Sequence, residues 1–61
     1  MNEHELRALS YLEKAAGFRA MVSDFKDEFT RGALEKIAAG YEHLAKIQQR
    51  IAKAEIDSGI E

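Results

Sequence analysis

Few side chains in this 61-residue sequence are suited to chemistry: two His, two Tyr, three Ser and no Cys. Nucleophilic catalysis needs an activating base within reach, and a metal centre needs several ligands at matched spacing. The histidines provide neither pattern. Di-metal sites in helical bundles use Glu-x-x-His, whereas the residue three before His43 is Gly40 and the residue three before His4 is Met1. His4-Glu5 opens like the His-Glu-x-x-His zinc motif, but Ala8 stands where the second His belongs. The four glycines are scattered singly, so there is no Gly-rich loop to cradle phosphate. The expectation is therefore a chain that is not an enzyme, with no catalytic, cofactor-binding or metal-ligating residues and no cofactor.

The remaining polar candidates suggest contact. Arg19 falls within the apolar arc of the first half of the chain, where a guanidinium needs a carboxylate partner or a route to water. Glu35 and Glu42 are the carboxylates available in the second half. His4 and Gln48 interrupt otherwise apolar stripes, and polar residues at such positions commonly set register or oligomer state. Lys36, His43, Lys46, Arg50 and Lys53 run along one side of the second half, with a shorter row of Arg7 and Lys14 in the first. A solvated face explains the longer row, with Glu42 and Lys46 one helical turn apart. The alternative is a nucleic-acid contact through Lys36, Lys46, Arg50 and Lys53. The net charge of -2 and the lack of aromatic residues within the row argue against that alternative.

The elements that position these residues are helices. Ten Ala and five Leu, with one Val and one Thr, favour an all-α chain. Met1, His4, Ala8, Tyr11, Ala15, Phe18, Val22, Phe25 and Phe29 follow alternating spacings of three and four, and Leu9, Leu12 and Ala16 widen the stripe. Thr30, Leu34, Ile37, Tyr41, Leu44, Gln48 and Ile51 repeat the pattern, flanked by Ala33, Ala45 and Ala52. Between the two stripes, Ser23-Asp24-Phe25-Lys26-Asp27-Glu28 is the densest cluster of capping residues, with Asp27 as N-cap and Glu28 in the first turn. The expected fold is a two-helix antiparallel hairpin, helix 1 over about 2–24 and helix 2 over about 28–57, forming a single domain over 1–61. One uninterrupted helix roughly 80 Å long is the competing architecture. A turn at Lys26 sets Phe18 against Leu34, Ala15 against Ile37, Tyr11 against Tyr41, Ala8 against Leu44, and His4 near Gln48.

The run Tyr11-x3-Ala15-x3-Arg19, the helix start at Asp27, and Leu34-x2-Ile37-Ala38-x2-Tyr41-Glu42-x-Leu44-Ala45 resemble small proteobacterial proteins of roughly 60 to 80 residues. The resemblance spans Tyr11 to Lys53 and implies a helical hairpin without a particular activity.

Size adds the last expectation. A domain of this length hides only about 60% of its unfolded surface, and its core seldom contributes more than roughly 3–5 kcal/mol. Without Cys or a metal site, association is the remaining source of stability. The expected partner is a second copy, closing two hairpins into a four-helix bundle. The expected interface is Leu9, Leu12, Ala16, Arg19, Ala33, Tyr41, Ala45, Gln48 and Ala52, with another protein as a further possible partner. No apolar run reaches the roughly 18–20 residues of a membrane span, and the acidic start is unlike a signal peptide. These features point to a bacterial, cytoplasmic protein acting by interaction, without membrane contact.

Overall fold

Capping chemistry sets both helix starts. Asn2 accepts the Glu5 backbone N–H at 2.9 Å, while the Glu5 carboxylate accepts the Asn2 N–H at 3.0 Å. This reciprocal box satisfies two donors that the first turn would leave orphaned. Asp27 caps the second helix with a single bond, its carboxylate accepting the Thr30 N–H at 2.6 Å. The computed structural model describes residues 1–59, with α1 at Glu3–Val22 and α2 at Glu28–Ser58. The connection reverses the chain, so the uninterrupted helix is excluded.

α1 stops at Val22, short of the expected 24. Asp24 N–H reaches back to Met21 O at 2.9 Å and Phe25 N–H to Val22 O at 3.2 Å. These three-residue closures tighten the chain out of the α-helix. The turn contains no glycine, and among the described residues only Gly59 has a positive φ, at 75°. That left-handed residue ends α2, donating its N–H to the Glu55 and Ile56 carbonyls.

The helices meet along two columns of small residues. Ala8, Ala15 and Val22 recur every seven positions on α1, and Ala38, Ala45 and Ala52 do so on α2. All five Ala are at most 3% exposed and Val22 is 9% exposed. With only a methyl group at most of these positions, the backbones approach closely, and larger side chains are displaced to the edges of the seam. Tyr41 lies between Tyr11 and Phe18, with ring centroids 6.0 and 5.7 Å away. The Phe18 ring is nearly parallel to that of Tyr41, at 11°. His4 likewise lies between Gln48 and Glu55. Each of these side chains thus falls midway between two others one heptad apart.

This seam differs from the expected one by one position on α2. The Tyr11–Tyr41 and His4–Gln48 pairings are present, but Ala38 and Ala45 occupy the seam that Ile37 and Leu44 were expected to fill. Ile37 and Leu44 are turned outward, 43% and 41% exposed. The physical reason is size: a branched side chain in the seam would hold the backbones apart, whereas alanine lets the full length of α1 settle onto α2. Ala45 and Ala52, expected as surplus surface, are consequently inside the hairpin.

The seam predicts an asymmetric response to added bulk. Ala45→Leu should destabilise the hairpin by about 1–3 kcal/mol, because the extra atoms have no space to enter. Ala39→Leu, at an exposed neighbouring position, should stay within about 0.5 kcal/mol. Urea unfolding followed by circular dichroism measures both, and equal effects would contradict the seam.

Candidate functional site

A two-helix hairpin has two flanks, one on each side of the seam, and the side chains divide between them. On the first flank Arg19 reaches across to Glu42, with Nε to Oε2 at 3.0 Å and a terminal nitrogen to Oε1 at 2.6 Å. This forked geometry is the strongest form of guanidinium–carboxylate contact. Both side chains keep two fifths or more of their surface exposed, so solvent screens the pair. The Arg19 hydrogen bonds hold the Glu42 carboxyl below its ordinary range. Glu42, through the same hydrogen bonds and its charge, raises Arg19, and Glu35 adds to the raising. The expectation of a carboxylate partner for Arg19 is met within one chain. Leu9, Leu12 and Ala16 lie on this same flank, with Leu9 and Leu12 exposed at 47% and 39%.

The second flank is where Lys14 Nζ stands 6.0 Å from the centroid of the Tyr41 ring, within range of a cation–π contact. Here α2 presents Ala33, Ile37, Gly40, Leu44, Ile47 and Ile51, spaced by four and three like the inner seam but lying one position to its side. The four large members are 37% or more exposed. Sequence reasoning took Ile37, Leu44 and Ile51 for core and passed over Ile47 and Gly40 as one stripe with them. The signal was present as a second heptad series adjoining the first, and hydropathy alone did not rank the two.

The residues expected to form one interface are thus dispersed. Leu9, Leu12, Ala16 and Arg19 occupy the first flank and Ala33 the second. Tyr41 and Gln48 are half-buried in the seam, and Ala45 and Ala52 are enclosed by it. Lys36, His43, Lys46, Arg50 and Lys53 are all exposed, but they do not share one face: Lys46 acts on the Glu42 carboxyl of the first flank, while Lys36, His43 and Arg50 lie further round α2.

At the end opposite the turn, His4 Nδ1 lies 2.7 Å from the Gln48 amide oxygen and Nε2 lies 3.2 Å from a Glu55 oxygen. A ring protonated on both nitrogens donates to both oxygens. A neutral ring donates to Glu55 and accepts from the amide NH2 of a rotated Gln48. The contact joins the first turn of α1 to the last turns of α2. Glu55 was missed in the sequence, although it continues the series Tyr41, Gln48 at the same spacing.

Among the described residues no group of three or more His, Asp or Glu could hold a metal ion. No described helix is long and apolar enough to cross a membrane.

The depressed carboxyls give stability a defined pH dependence. Glu42 is lowered by Arg19, and Asp27 by its hydrogen bonds from Thr30. Their contributions are complete above the ordinary carboxylate pKa of about 4 and disappear as pH falls through the depressed folded values. Melting temperature should therefore fall on acidification in that window, and Glu42→Gln together with Asp27→Asn should flatten the fall. Thermal melts at stepped pH test this, and an unaltered slope would contradict it.

Comparison with known proteins adds no relative, since no family model, curated protein or solved structure matches the chain.

Proposed function

We propose that this chain is a non-enzymatic interaction module that acts as a homo-oligomer, two hairpins closing into an antiparallel four-helix bundle. One observation carries the reading: among the described residues the buried set consists of five Ala and one Val. Every Leu and Ile on the two flanks named above retains more than a third of its surface in water. Apolar burial stabilises by roughly 25 cal/mol per Å2, and a single layer of two helices leaves most of that stabilisation to a further surface. Large exposed apolar patches on small domains mark interaction sites. A second layer of helices is the arrangement that covers such stripes.

The test is mass as a function of concentration. Sedimentation equilibrium at micromolar chain should give twice the 6.9 kDa of one copy, with dilution lowering both mass and helix content together. A cooperative, fully helical monomer at every concentration would refute the reading.

A second reading, nucleic-acid contact, has the exposure of Lys36, Lys46, Arg50 and Lys53 along α2 in its favour. Phosphate tracking by these four side chains would make binding fall steeply with salt. Retention on a nucleic-acid column at low salt, abolished by Lys46→Glu with Arg50→Glu, would support it, and free passage at low salt would eliminate it.

A further inference from the structure

The open end of the hairpin is held by a side chain that changes its charge near neutral pH. His4 stands in the first turn of α1, its side chain 17% exposed. Both ring nitrogens meet α2: Nδ1 lies 2.7 Å from the Gln48 amide oxygen and Nε2 lies 3.2 Å from a Glu55 oxygen. Two oxygens facing two nitrogens call for a proton on each nitrogen, which is the imidazolium form. A neutral ring keeps both contacts only if the Gln48 amide rotates, and it then meets Glu55 without the ionic part of the bond.

The other charges at this end are largely matched among themselves. On α1, Glu3 is bound to Arg7 at 3.3 Å, and the Glu5 carboxylate turns back onto the Asn2 N–H at 3.0 Å. Arg7 and the α-amino group of the exposed Met1 are the cations within one turn of His4. On α2, Lys53 and Asp57 stand two residues from Glu55 and so on the far side of that helix. The positive end of the α1 dipole opposes a charge on His4, an effect offset by the Glu5 carboxylate, and the negative end of α2 favours it. Among the described residues Glu55 is the charged group of α2 in contact with the ring.

We propose that His4 is a pH-operated latch: charged, it ties the first turn of α1 to Gln48 and Glu55, and its deprotonation loosens that turn while the rest of the hairpin stays closed. The contribution of the latch is present where imidazole is charged, below its ordinary value of about 6.5, and declines as pH rises through neutrality. This window lies above that of Glu42 and Asp27, whose contributions are complete above about 4. The aromatic stack of Tyr11, Tyr41 and Phe18 lies between the latch and the turn and confines the opening to the end. The latch needs one chain only and stands apart from the self-association reading.

The experiment is amide hydrogen exchange at stepped pH, read as protection factors so that the intrinsic pH dependence of exchange cancels. In the wild-type chain the Arg7, Ala8 and Leu9 amides lose protection about threefold between about pH 5 and about pH 8. The Ala15 and Ala38 amides keep theirs. His4→Gln and Glu55→Gln each flatten the loss at the start of α1, whereas His43→Gln, at the exposed second histidine, leaves it intact. Constant protection at the start of α1 in the wild-type chain overturns the proposal. So does a loss that persists in His4→Gln or Glu55→Gln, or one shared equally by Ala15 and Ala38.

Discussion

Close approach of two backbones is the constraint on which the rest of this molecule depends. Alanine at Ala8, Ala15, Ala38, Ala45 and Ala52 brings the helix axes together, and only Val22, at the turn end, is larger in the two columns. The aromatic side chains Tyr11, Phe18 and Tyr41 are therefore moved to one edge of the seam, where they stack instead of filling a core. Large aliphatic residues are moved further out, to the flanks. A hairpin of this kind gains its alignment from small residues and leaves its largest hydrophobic groups exposed on its flanks. That inverts the usual division, in which bulky residues form the interior and small ones decorate the surface.

Polar contacts along the seam share one logic. Arg19 with Glu42, Lys14 with Tyr41, and His4 with Gln48 and Glu55 all cross between the helices at the boundary of the apolar columns. None lies in a deep interior, so each remains hydrated and contributes more to rotation and register than to total stability. Arg19 and Lys14 act on opposite flanks and so define which side of each helix faces the other. An isolated alanine column would tolerate sliding by a heptad. The stacked rings and the fork of Arg19 make such a slip costly.

Much of this architecture can be read from residue types, and the part that cannot has a clear cause. Asp27 followed by Glu28 marks the second helix start because capping is local chemistry. The pairing of Tyr11 with Tyr41 and of His4 with Gln48 follows from placing the turn near Lys26. A carboxylate partner for Arg19 follows from the need of a guanidinium beside apolar residues, but the choice of Glu42 over Glu35 comes only from the packing of the helices. What escaped was the rotation of α2. Its apolar residues fill two adjacent heptad series, and hydropathy favours the one with Ile37, Leu44 and Ile51. Close packing favours the one with Ala38, Ala45 and Ala52. The choice depends on interhelical distance, a property of both helices together that is not visible in either stretch alone. The same rotation decided the flanks, which is why Leu9 and Ala33, read as one surface, lie on opposite sides.

The spacing of these contacts along the chain also bears on how the hairpin opens. Arg19 and Glu42 are 23 residues apart, whereas His4 and Gln48 are 44 apart. Closing the longer span costs more loop entropy, though the increment grows only logarithmically. The end near the turn is thus favoured to form first, and the end held by His4 is the last to close and the first to fray. Local opening would begin there and release the first turn of α1 before the aromatic stack separates, giving amide protection that rises from the termini toward the turn.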